Sequence, residues 1–165
     1  MMSSPEELVD RLEELWVRAK CVELGARYCH GVDRADQETF LSIWHSRGEY
    51  VIGRRSGRFS GHTELATALD FVRAAYASTH HWTTNQVVTR SGPDSATGVS
   101  DSFAICVDHD GRPSLVAATY DDEYRLVDGE WKILRRIVRR WLVTGGIEVA
   151  VRHPASQGMG RKADP

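Results

Sequence analysis

The chain has 165 residues, 41% of them hydrophobic and 27% charged, with a net charge of −2, which suits a globular protein with a core of its own. That charge gives no electrostatic reason to expect nucleic acid or an anionic membrane as partner. No apolar run approaches the ~20 residues that span a bilayer. The N-terminal MMSSPEELVDRLEELW is acidic and has no apolar signal core. Cys21, Cys29 and Cys106 show no CxxC spacing. Both features predict reduced thiols in a cytoplasmic protein.

Ser4 can cap a first helix, with Pro5 at its first position and Glu6 and Glu7 at the positive end of the dipole. Leu8, Leu12, Leu15, Trp16, Ala19, Val22 and Ala26 recur at helical spacing to about Cys29. Gly31 then reads as a helix end. Asp36 can cap a short second helix whose apolar face is Phe40, Ile43 and Trp44. Gly48–Gly53 reads as a strand and Arg54–Ser60 as a loop. Leu65, Leu69, Val72 and Tyr76 predict a third helix over about Gly61–Ser78.

The period then changes. Four long strands are predicted over His81–Arg90, Ala96–Asp108, Ser114–Val127 and Glu130–Thr144. The turn-rich stretches SGPD, DHDGRP and VDGE separate them. Short connections make an antiparallel meander. The expected fold is therefore α+β: three helices packed on a strongly curved antiparallel sheet that encloses an apolar cavity. Residues 1–150 form the predicted domain, and the polar stretch 151–165 reads as a flexible tail.

Seven histidines raise the question of metal, but none stands in HxH or HxxxH spacing and no Cys/His cluster exists. No metal site is predicted. A Walker loop, a GxGxxG after a strand and a GxSxG elbow are all missing, so no cofactor is expected. The chemistry-bearing residues gather at two junctions, Tyr28-Cys-His-Gly-Val-Asp33 and Ser78-Thr-His-His-Trp-Thr-Thr-Asn85. Tyr, Asp and His are the groups general acid–base catalysis uses. Asp36 is better placed than Asp33 to cap the second helix, which leaves Asp33 open to another role.

The runs HGVDRADQETFLSIWH, STHHWTTN and TYDDEYRLVDGEWKI resemble the SnoaL-like branch of the nuclear-transport-factor-2-like superfamily. The branch includes bile-acid and scytalone dehydratases and a dehydrochlorinase. The resemblance spans about Leu8–Ile147 and implies a cone-shaped α+β barrel. It implies an Asp33–His81 dyad, selecting His81 over His80 by the Thr-Asn that follows, with Tyr28, five residues before Asp33, as a third member. A lysine replaces Tyr28 in the dehydrochlorinase, which favours loss of water. The implied function is a lyase acting on an apolar hydroxy compound of polycyclic or aromatic type. An isomerase, a polyketide-type cyclase and a non-catalytic subunit are the alternatives. A homo-oligomer is implied, a trimer before a dimer.

The bile-acid dehydratases of this branch also carry an acid in the second long strand and an arginine in the last, positions near Asp101 and Arg139 or Arg140. Asp101 shares a strand face with Val99, Phe103, Ile105 and Val107. Arg139 shares one with Ile133, Ile137 and Trp141, and Arg140 one with Leu134, Val138 and Leu142. Parity does not choose between the arginines. Tyr50, Trp44, Trp82 and Phe103, with Tyr120 and Trp141, are candidate aromatic lining.

Overall fold

A computed structural model describes residues 4–52 and 57–145. Helix α1 spans Pro5–Asp33, α2 Gln37–Ser42 and α3 Gly61–Ala75. The strands are β1 Trp44–Ile52, β2 Arg58–Ser60, β3 Ser78–Arg90, β4 Ser95–Val107, β5 Pro113–Val127 and β6 Glu130–Val143. They form one six-stranded sheet in the order β2-β1-β6-β5-β4-β3. The long strands β3–β6 are antiparallel neighbours, as the short turns require. The sheet as a whole is mixed, because β1 runs parallel to β6.

Local chemistry accounts for most boundaries. Ser4 and Glu7 close a reciprocal capping box on α1. Asp36 caps α2 by accepting from Thr39 N at 3.0 Å. Asp128 and Gly129, both with positive φ, make the tight turn between β5 and β6.

Several sequence expectations are corrected. Helix α1 runs through Gly31 to Asp33. A Cβ on Gly31 would lie 2.9 Å from the Phe40 backbone, so this glycine permits close approach of α2 and does not end the helix. The buried stripe of α1 is Val17, Cys21, Leu24, Tyr28 and Val32, whereas Leu8, Leu12, Leu15, Trp16 and Val22 lie exposed. Helix α1 thus carries two apolar stripes, and the one with smaller side chains lies against β3. Trp44 opens β1 instead of ending α2. Part of the predicted Arg54–Ser60 loop is strand β2. Helix α3 stops at Ala75 because β3 begins at Ser78 and pairs with β4 from Ser78↔Val107 to Arg90↔Ala96, with one register shift between Thr84 and Val87. The predicted tail lies outside the described residues.

The core joins α1, α2 and α3 to the covered sheet face through Tyr28, Phe40, Ile43, Trp44, Leu65 and Ile133. In β4 the inward side chains are small: Ser100, Ser102, Ala104 and Cys106. Ala118 of β5 is small as well. Small residues beneath long helices leave a hollow. No helix among the described residues is long and apolar enough to cross a membrane.

Candidate active site

The hollow is a cavity of about 140 Å³, lined by Tyr28 and Val32 of α1, Val72 of α3, His81 of β3, Tyr120 of β5 and Val138 of β6, among others. Its character is mainly apolar, with hydroxyls from Tyr28, Tyr50, Thr79, Ser102 and Tyr120 and a rim cation from Arg140.

His81 stands in its wall, with Asp33 bonded to it from behind. Helix α1 delivers Asp33 from its last turn, which continuation past Gly31 makes possible. Strand β3 delivers His81, which starts three residues into the strand. His81 Nδ1 lies 2.6 Å from Asp33 Oδ1, and the His81 backbone N–H donates to Asp33 Oδ2 at 2.8 Å. A carboxylate only accepts, so Nδ1 carries a proton, and in the neutral imidazole this leaves the lone pair on Nε2. Thr79 Oγ1 donates to Oδ1 as well, at 2.9 Å. Burial pushes the Asp33 carboxyl up, but these donors together outweigh it and hold Asp33 below the ordinary carboxylate range.

Tyr28 packs edge-on against the His81 ring, with centroids 6.1 Å apart. Its hydroxyl shares a 2.5 Å hydrogen bond with that of Tyr50. Burial drives Tyr28, Tyr50 and Tyr120 up from the usual phenol range, so each remains a neutral O–H donor at neutral pH. Beneath them lies Arg136, fully buried. Its guanidinium carbon sits 4.5 Å from the ring centres of both Tyr28 and Tyr120. Asp122 binds it through Nε and Nη2 at 2.8 and 2.7 Å. Tyr124 donates to Asp122 at 2.7 Å, and Gln86 donates to Tyr124 at 3.1 Å. A fixed positive charge thus underlies the phenols.

The structure brings His81, Tyr28, Tyr50, Tyr120 and Arg140 to the cavity wall, and Asp33 binds His81 from the neighbouring groove. The other predicted lining residues lie elsewhere. Asp101 is on the outer face of β4, where it accepts from Asn85 and Thr119 at 3.2 and 3.0 Å. Arg139 is also outside, paired with Asp121. Trp82 and Phe103 pack on each other on that same outer face, with centroids 6.2 Å apart. Trp44 is buried in the core behind Tyr50. The apolar stripe of Val99, Phe103 and their neighbours therefore faces outward, opposite to the cavity.

Arg136 and Thr79 were not singled out from the sequence. Strict alternation from Trp131 and Ile133 would turn residues 135, 137 and 139 inward. A bulge intervenes: Glu123 faces Arg135 and Tyr124 faces Ile133, so Leu134 has no partner across the strand. Arg136, Val138 and Arg140 turn inward instead, and this settles which of the two rim arginines reaches the cavity. Thr79 carried only the weak signal of standing two residues before His81.

A cone of helices on a curved sheet, with a dyad and buried phenols in its hollow, defines a class that the comparisons then name. The model of the SnoaL-like domain matches residues 13–137, and the chain belongs to that family. It is 30% identical over 124 residues to hexachlorocyclohexane dehydrochlorinase 1 of Sphingobium indicum, covering 74% of this chain and 80% of that protein. A crystal structure of a type 2 hexachlorocyclohexane dehydrochlorinase superposes with a TM-score of 0.81 at 25% identity, over 87% of this chain and 98% of that one. A protein described as a scytalone dehydratase, from Novosphingobium aromaticivorans, shares the fold with a TM-score of 0.73 at 19% identity, over 88% of this chain and 97% of that one.

Proposed function

We propose that the protein is a lyase that removes water from an apolar hydroxy compound, using only its own side chains for the proton transfers. The observation that carries this reading is the 2.6 Å contact of Asp33 with His81, which lines an apolar cavity together with Tyr28.

His81 Nε2 takes a proton from a carbon made acidic by a neighbouring carbonyl. Asp33 balances the imidazolium that forms. The C–H electrons become the new C=C bond as the C–O bond breaks. Tyr28 supplies a proton to the departing hydroxyl, which leaves as water. The cation of Arg136 beneath the ring offsets charge left on the phenolate. His81 then returns its proton to Tyr28, and both groups are reset.

An apolar cavity of ~150 Å³ holds a molecule the size of benzene. A cavity of about 140 Å³ accordingly favours one ring seated at a time, and a larger substrate would extend past the rim at Arg140. Isomerisation is the second reading, since the Tyr28–Tyr50 hydroxyl pair could equally hold an enolate oxygen. The similarity to dehydrochlorinases supports elimination. Cyclic β-hydroxy ketones and hexachlorocyclohexane are the substrates to test, with products followed by mass. Loss of water supports the dehydratase, loss of hydrogen chloride a dehydrochlorinase, and unchanged mass with a moved double bond an isomerase. His81→Ala is expected to lower turnover about 10²–10⁴-fold. Near-native turnover in that variant would overturn the assignment.

Self-association is part of this proposal. The outer sheet face exposes Trp82, Val99, Phe103 and Trp141, the last at 64%. A cluster of this kind suits a symmetric interface.

A further inference from the structure

Thr79 stands two residues before His81 on β3, so both side chains share a face. Only 5% of Thr79 is exposed. Its hydroxyl donates to Asp33 Oδ1, the oxygen that also accepts the His81 Nδ1–H. The carboxylate is therefore gripped by three donors, all from Thr79 and His81. Behind it lies a second, polar groove lined by Asp33, Arg34, Arg73, Tyr76, Ser78 and Thr79. Thr79 borders both hollows.

We propose that Thr79 is a positioning residue of the dyad: its hydroxyl holds the Asp33 carboxylate in line with His81 and takes up part of the charge on Oδ1. This rests on the dyad reading above. Without that donor, Oδ1 faces the polar groove on one side and His81 alone on the other. The carboxylate is then held by His81 alone, and the charge it directs at the imidazole is no longer shared.

The other titratable groups facing the dyad cannot replace Thr79. Tyr28 and Cys29 come from α1, Cys106 from β4 and Tyr76 from the end of α3. Burial raises all four, Cys106 to about 11, so they stay uncharged near neutrality. Arg34 and Arg73 line the groove, yet neither forms an ion pair with Asp33. A threonine in a strand also has an ordinary packing role. Valine fills that role equally well, which separates the two explanations.

The test compares Thr79→Val, Thr79→Ser and Asp33→Asn in the full chain by NMR. It follows the titration of the Asp33 carboxyl carbon and the downfield Nδ1–H resonance of His81. In Thr79→Val the Asp33 midpoint is expected to rise by about half to one pH unit, and the Nδ1–H resonance to move further downfield. Thr79→Ser is expected to match the wild type in both. Wild-type values in Thr79→Val would show a packing role only and overturn the proposal. A His81 resonance unchanged by Asp33→Asn would instead overturn the dyad itself. Thr79→Ala gives the same comparison if the valine variant does not fold.

Discussion

Asp33 is a carboxylate whose surroundings favour its charged form, and this has a consequence for stability. Its folded-state pKa is lower than its unfolded one. Between the two values the unfolded chain binds more protons, so stability rises with pH across that window. The contribution is present above the unfolded value, about pH 4, and is lost as pH falls through the folded one. Acid titration of thermal stability is therefore expected to be shallower in Asp33→Asn than in the wild type, which differential scanning calorimetry would show. Tyr28→Phe is expected to keep the fold and lower turnover about 10²-fold or more, through loss of the proton donor. Leaving the Tyr50 hydroxyl without its partner adds a cost of about 1–3 kcal/mol to stability.

Strand β6 is the element on which the site turns, and its arginine is held by a buried ion pair. Removing one partner of such a pair costs about 3–5 kcal/mol, because the other charge is left buried and uncompensated. Asp122→Asn and Arg136→Met are each expected to destabilise the chain by roughly that amount in denaturant titration. The same strand shows where the sequence stopped being legible. Element types followed from periodicity, caps and turns, all local signals. The inward face of β6 depends on the bulge at Leu134, which arises from pairing with β5 and leaves no mark in WKILRRIVRR. Asp101, Trp82 and Phe103 were misplaced for a related reason. The bulkier stripe of β4 looked like the core side, whereas the side with Ser102, Ala104 and Cys106 faces the cavity. Gly31 resembled a helix end because its crowding against Phe40 is a tertiary contact. Gly31→Ala is expected to cost about 1–3 kcal/mol by forcing α2 away.

At the scale of the whole molecule, helices and sheet keep apart two surfaces of different character. The covered face is thinned by small residues into a cavity, and the outer face carries the large exposed aromatics. Asp33 and His81 lie 48 residues apart in the chain, and no spacing rule brings them together. Their pairing was legible only through the family resemblance, and the local residues alone supplied a set of candidates. The proposed interface on the outer face predicts a self-associating wild type and a monomeric Phe103→Lys, Trp141→Lys double variant, read by light scattering in line with size-exclusion chromatography.

In the proposed reaction His81 removes a proton from carbon inside the cavity. Deuterium incorporation tests it without knowledge of the natural substrate. Single-ring ketones are incubated with the protein in D₂O, and exchange at the carbon beside the carbonyl is followed by mass spectrometry. The account predicts exchange catalysed by the wild type and slowed about 10²–10⁴-fold in His81→Ala, with both variants equally folded by circular dichroism. Catalysed exchange at the same rate in both would contradict it.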